Sequence, residues 1–166
     1  MAGYSNQKVF ILYEDEHLLV VKKPFGMESQ RGKSFAMDQE SLLRGYLSSK
    51  TKTDNPYLAV VHRLDRPVAG VMVYAKTKKA AADLSAQLQT ENFSKKYEAV
   101  VSGIVPACEG RLEDYLTADK RTGTTSVSSK ADPLAKKAVL TWKEIAREEV
   151  KSGEILLPYA SNPSPE

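Results

Sequence analysis

Four ionisable side chains, His62, Arg63, Asp65 and Arg66, fall within five positions of one another. A carboxylate flanked by two guanidinium groups is expected to stay ionised, because nearby cations favour its charged form. An ionised, positioned aspartate serves as a nucleophile or a general base. The same residues also suit a plain ion pair closing a surface turn, and exposed pairs of that kind contribute only ~0–1 kcal/mol. Two apolar runs, residues 57–61 and 71–76, bracket the cluster. Valine-rich runs of this length read as buried strands, and Pro67 and Gly70 mark a turn between them. The four side chains are therefore expected on a connection anchored in a core at both ends, where binding and catalytic groups concentrate.

The string His62-Arg63-Leu64-Asp65-Arg66, with Pro67-Val68-Ala69-Gly70 behind it, resembles the signature loop of the RluA-type RNA pseudouridine synthases. That family usually has His-Arg-Leu-Asp-Arg, one variable residue, then Thr-Ser-Gly. Here the glycine is kept, and Val68 and Ala69 stand where the two hydroxyls would be. Upstream, an acidic turn at residues 14–17, an apolar run at 18–21 and Lys23-Pro24-Phe25-Gly26 resemble the family's first motif. Downstream, Lys95-Lys96-Tyr97 with its apolar continuation resembles the Lys-x-Tyr motif.

What the resemblance implies is an isomerase that converts specific uridines of structured RNA, rRNA or tRNA, into pseudouridine. Asp65 is then the catalytic carboxylate. Tyr97 lies in the active site, stacked on the extruded uracil with its hydroxyl near the proton that leaves carbon five. The residues alone fit Tyr97 equally well as an aromatic on a sheet face. Among the RNA-binding residues, Arg63 fills the gap left by the extruded base. His62 positions the loop, and Arg66 neutralises phosphate or holds the turn. The reaction involves no redox change, so no cofactor and no metal is implied.

The fold implied is α+β, a mixed, mostly antiparallel sheet with flanking helices. One catalytic domain is expected over residues 1–157, with no S4-like RNA-binding domain before it. A Pro- and Ser-rich tail at residues 158–166 is expected to be disordered. The family's last motif, of the type Thr-Gly-Arg-x-His-Gln-Ile-Arg, supplies an arginine that pairs with the catalytic aspartate. No counterpart occurs before residue 166, so the domain is expected to be truncated at its carboxyl terminus. The alternative reading is an inactive, synthase-like protein that binds RNA without turning it over.

Bulk properties narrow the classes further. With 166 residues, 42% hydrophobic and 27% charged, the chain has the length of one ordinary globular domain. Net charge is +3 and the pI about 8.8, too mild to announce a nucleic-acid binder by charge alone. Basic groups at residues 76–79, 95–96, 120–121 and 136–137 would make a phosphate-binding stripe if the fold gathered them on one side. One cysteine, Cys108, excludes an intramolecular disulfide, fits a reducing cytoplasm and reads as a small packing residue. There is no signal-like apolar start and no membrane-length run. The cluster Asp15-Glu16-His17 reads as a hairpin turn, because no other His or Cys is spaced to complete a metal site. Neither G-x-G-x-x-G nor a P-loop occurs.

The remaining elements follow from period and caps. Residues 9–13 and 18–21 predict a hairpin. Asp38 caps a helix carrying Leu42, Leu43, Tyr46 and Leu47 on one face, and Thr77 caps a helix over residues 78–89 with Ala80, Ala81, Leu84 and Leu88 as its stripe. Strands are expected at residues 93–103, 110–116, 124–128 and 136–146, with one more beginning near 153–158.

Overall fold

The computed structural model describes residues 9–32, 37–90, 93–103, 107–119, 121–149 and 155–163. The chain divides into two units, Met1–Leu88 and Gln89–Glu166.

In the first unit, Asp15 makes the opening turn. Its carboxylate accepts from the amides of His17 (2.7 Å) and Leu18 (2.6 Å), the local closure that aspartate offers a turn. The turn folds β1 (Phe10–Glu14) antiparallel onto β2 (Leu18–Lys23). β4 (Gly70–Ala75) runs along the other side of β2, and the two-residue β3 (Ala59–Val60) along β4, giving the order β1-β2-β4-β3. The period of two sends Leu19 and Val21 of β2, with Met72 and Tyr74 of β4, to one face. α1 (Gln39–Thr51) lays Leu43 and Leu47, one turn apart, across that face, and Leu58 completes the cluster. Burying each aliphatic side chain stabilises by about 1.5–3 kcal/mol, so the core of this unit sits between its sheet and α1.

Both expected caps form. The Asp38 carboxylate accepts from the Ser41 amide at 2.9 Å and the Ser41 hydroxyl at 2.7 Å. Thr77 accepts from the Ala80 amide at 3.2 Å and starts α2 (Lys78–Gln87). The stripe Ala80, Ala81, Leu84 and Leu88 is only half-buried.

A charged knot ties these elements together. Glu14, at the end of β1, accepts from Tyr46 Oη (2.7 Å) and Lys50 Nζ (2.8 Å) of α1, and from Lys76 Nζ (2.8 Å) just past β4. Burial works against its charge, but the hydrogen bonds from Lys50, Lys76 and Tyr46 outweigh it and hold the carboxyl at about 2. Lys76 is thereby turned inward, its ammonium also held by the Asp15 carbonyl. It leaves the basic stripe expected of residues 76–79.

The second unit contains β5 (Tyr97–Ser102), β6 (Glu109–Ala118), β7 (Thr125–Ser128), β8 (Lys136–Glu144), β9 (Glu148–Glu149) and β10 (Ile155–Pro163). They make an antiparallel sheet of order β5-β10-β8-β6-β7, with β9 on β10. No described side chain of this unit is buried. Gly110 pairs with Trp142 across β6 and β8, and the indole lies against the space a Cβ would occupy, Nε1 at 2.8 Å.

The α+β class and the antiparallel pairing hold, with the strands divided between two sheets. The one described parallel contact is the bridge between Glu28 and Asp38. Two expectations change. Residues 158–163, expected in a disordered tail, lie in β10 between β5 and β8. The prolines are accommodated locally. Among the described residues, β9 pairs with 155–156 and β8 with 159–163, so Pro158 falls where one side of the strand has no partner. Pro163 ends the strand, and a missing N–H is tolerated in both places. Residues 164–166 lie outside the described residues. Cys108 is exposed rather than packed, because it precedes β6 in a connection, where its carbonyl accepts from the Glu144 amide at 2.7 Å.

Candidate active site

The connection from β3 to β4 carries His62, Arg63, Asp65 and Arg66. β3 stops at Val60, and a side chain then takes over from its backbone. His62 Nε2 accepts from the Val73 amide of β4 at 3.1 Å, two residues along from Ala75, where β3 pairs. An imidazole nitrogen that accepts carries no proton, so this contact uses His62 to position the loop. At the far end Gly70 begins β4, and a Cβ there would lie 3.1 Å from Leu64 Cδ1. The glycine leaves room for Leu64 to fold back against the core cluster.

Between these anchors the chain turns, with the Val68 amide donating to the Asp65 carbonyl at 3.0 Å. Asp65, Arg63 and Arg66 are all exposed. Arg66 is spent on the fold. Its Nε donates to the Gly26 carbonyl at 3.0 Å, and the Gly26 amide donates back to the Arg66 carbonyl at 2.9 Å. Among the described residues, neither the Asp65 carboxylate nor the Arg63 guanidinium has a hydrogen bond or an ion pair. The simple ion pair that would close the turn therefore does not form. What remains is a carboxylate and a guanidinium, two residues apart, presented outward from a fastened loop.

The segment after β2 supplies much of that fastening. Ser29 is 5% exposed. Its hydroxyl donates to the Leu64 carbonyl at 2.5 Å and accepts from the Leu64 amide at 3.0 Å. Behind it, Tyr74 Oη donates to the Ser29 carbonyl at 3.2 Å. Burial, helped by the charges of Glu40 and Asp38, pushes the Tyr74 phenol upward, so it stays a donor. Lys23 is fully buried, its ammonium aimed at the carbonyls of Met27 (2.6 Å), Pro24 (3.2 Å) and Arg66 (3.4 Å).

None of these supporting residues was picked out as functional from the sequence. For Lys23 a signal existed: the alternation Leu19, Val21, Lys23 sends the lysine inward. Ser29 lies in a polar stretch without period, and nothing marked it.

Tyr97 opens β5 in the second unit, half-buried and paired with Ser161 of β10. A cleft of about 260 Å³ beside the hairpin turn is lined by Asp15, His17, Leu18, Thr77 and Leu84 among others. It shares no residue with the Asp65 loop. Among the described residues no group of three His, Cys, Asp or Glu side chains is gathered to hold a metal ion. No helix among them is long and apolar enough to cross a membrane.

Comparison with known proteins bears on this geometry. The family model for RNA pseudouridylate synthase matches residues 17–158. Ribosomal large subunit pseudouridine synthase D of Pseudomonas aeruginosa is 41% identical over 96 residues, which cover 57% of this chain and 29% of that protein. The dual-specificity RNA pseudouridine synthase RluA of Vibrio vulnificus is 38% identical over 66% of this chain and 41% of its own length. For tRNA pseudouridine synthase C of Yersinia pestis the figures are 31%, 84% and 52%. The chain thus spans between 29% and 52% of these relatives' own lengths. Among solved structures, human RNA pseudouridylate synthase domain containing 4 superposes with a TM-score of 0.73 at 21% identity. That match covers 93% of this chain and 58% of the other, and it shows a shared fold.

Proposed function

Because this chain belongs to the RNA pseudouridylate synthase family, in its RluA-type branch, we propose that it isomerises specific uridines of structured rRNA or tRNA to pseudouridine. Asp65 is the catalytic carboxylate. The observation that carries this reading is the Asp65 loop itself: the family's signature string, held at both ends, with the carboxylate open to a substrate. In the reaction the bond from uracil nitrogen one to the sugar breaks, and a bond from carbon five to the same sugar carbon forms. Carbon five loses a proton and nitrogen one gains one, so the reaction balances without a cofactor.

A base inside a folded RNA must leave its stack to reach the carboxylate. Arg63, exposed and two residues away, is suited to fill the space with its planar guanidinium. His62 and Arg66 serve binding by holding the loop that RNA meets. Tyr97 is assigned to the extruded uracil by its motif. The names of the relatives, a ribosomal large subunit, a tRNA and a dual-specificity RNA pseudouridine synthase, support the substrate class. A cytoplasmic location goes with that substrate and with the lone cysteine.

A second reading, RNA binding without turnover, is favoured by the Asp65 carboxylate having no hydrogen-bonded or ion-paired cation among the described residues. The two separate on unmodified rRNA and tRNA transcripts mapped for pseudouridine. Under the synthase reading, wild type modifies discrete positions and Asp65→Asn modifies none, both binding RNA with equal salt dependence. Binding without any modified position would leave only the second reading.

A further inference from the structure

We propose that Ser29 and Lys23 are positioning residues for Asp65: the segment they bracket grips the backbone on both sides of the carboxylate and sets where it stands. This rests on the assignment of Asp65 above. Two residues flank Asp65, and this segment holds each of them. On the amino side, one hydroxyl closes both backbone groups of Leu64, donating to its carbonyl at 2.5 Å and accepting from its amide at 3.0 Å. Only a group that is donor and acceptor at once can do this. On the carboxyl side, Arg66 is held through its carbonyl by the Gly26 amide (2.9 Å) and the Lys23 ammonium (3.4 Å), and through Nε by the Gly26 carbonyl (3.0 Å). Asp65 is thus suspended between two clamped neighbours, and its own side chain is left out of the clamp.

The clamp is rigid because its base is buried. Lys23 is 0% exposed, and its contacts to Pro24 and Met27 fold the segment tightly over the end of β2. Burial lowers the affinity of Lys23 for its proton, while the charge of Asp65 counteracts that effect. The loop's aspartate and the clamp's ammonium therefore feel one another. The segment is also tied outward, the Glu28 carbonyl accepting from the Gln39 amide at the start of α1 (2.8 Å). A loop tied only at His62 and Gly70 would leave its middle free to move. Misplacing a reacting group by about 1 Å lowers a rate on the order of a hundredfold.

Amide hydrogen exchange and kinetics on the full chain test this. In wild type, the Leu64 and Val68 amides should be protected comparably to Val21 and Tyr74 in the core. In Ser29→Ala their exchange should accelerate by about tenfold or more with the core unchanged, since the lost contact is local. kcat for uridine conversion should fall about 10- to 100-fold, with RNA affinity within about twofold of wild type. Lys23→Met, which keeps the apolar stem, should act in the same direction and serves if Ser29→Ala does not fold. An exposed-loop exchange rate for Leu64 in wild type would overturn the proposal. So would an unchanged kcat in a folded variant, or exchange rising equally in loop and core, the mark of general destabilisation. If wild type converts no uridine, the synthase reading fails, and the exchange measurements alone decide the clamp.

Discussion

Replacing Glu14 by Gln tests how the first unit is held together. The carboxylate is 10% exposed, and it joins α1 to the ends of β1 and β4 through Tyr46, Lys50 and Lys76. Its partners hold it at about 2, against 4.5 for a free glutamate. The stability it confers is complete above pH 4.5 and is lost as pH falls through 2, where the folded protein also takes up the proton. At about 1.36 kcal/mol per pH unit, the full window corresponds to at most about 3–4 kcal/mol. Lys50 is half in solvent, 53% exposed, and screening of such pairs reduces the figure to about 1–2 kcal/mol. Denaturant unfolding at pH 7 should therefore show Glu14→Gln less stable by about 1–2 kcal/mol. The gap should close between pH 4.5 and 2, because only wild type has a Glu14 charge to lose in that window. A gap of equal size at both ends of the window, or none at pH 7, would refute the charged knot as a source of stability.

Gly70→Ala should change stability by less than about 1 kcal/mol, since removing a strand glycine offsets the crowding of Leu64. It should still lower turnover severalfold, because Leu64 carries Asp65 with it; paired melting and kinetic measurements would show the split. Gly110→Ala meets the rigid Trp142 ring at 2.8 Å and should destabilise the second sheet by about 1–3 kcal/mol. The emission of Trp142, the chain's one tryptophan, is the natural readout. Tyr74→Phe removes the donor to the Ser29 carbonyl and should cost about 1 kcal/mol in denaturant unfolding.

The elements of the first unit were legible because local chemistry and global packing agree there. Asp38 and Thr77 announce helix starts that form, and the apolar run at residues 18–21 marks a strand that buries one face. Residues 158–163 were not legible as a strand, since their composition argues for a tail and only pairing with β5 and β8 gives them a place. The site was half legible. His62, Arg63, Asp65 and Arg66 stand together on one connection, as their spacing implied. What neighbouring charges suggested, a carboxylate paired with arginines, gave way to backbone geometry, which directs Arg66 to Gly26 instead. Lys23 was legible as part of Lys23-Pro24-Phe25-Gly26 but not as a buried residue, since two adjacent lysines look solvated even when the strand period points one of them inward. Ser29 was hidden for another reason: its partner Leu64 is far away in sequence, and no local pattern encodes that contact.

The most direct measurement uses RNA labelled with tritium on carbon five of uracil, incubated with wild type and Asp65→Asn under single-turnover conditions. Isomerisation must expel that hydrogen, so wild type should release label to water in step with pseudouridine formation. Asp65→Asn should bind the RNA equally and release none. Release by both proteins would remove Asp65 from the chemistry, and release by neither, with both folded and bound, would contradict the assignment of a synthase activity to this chain.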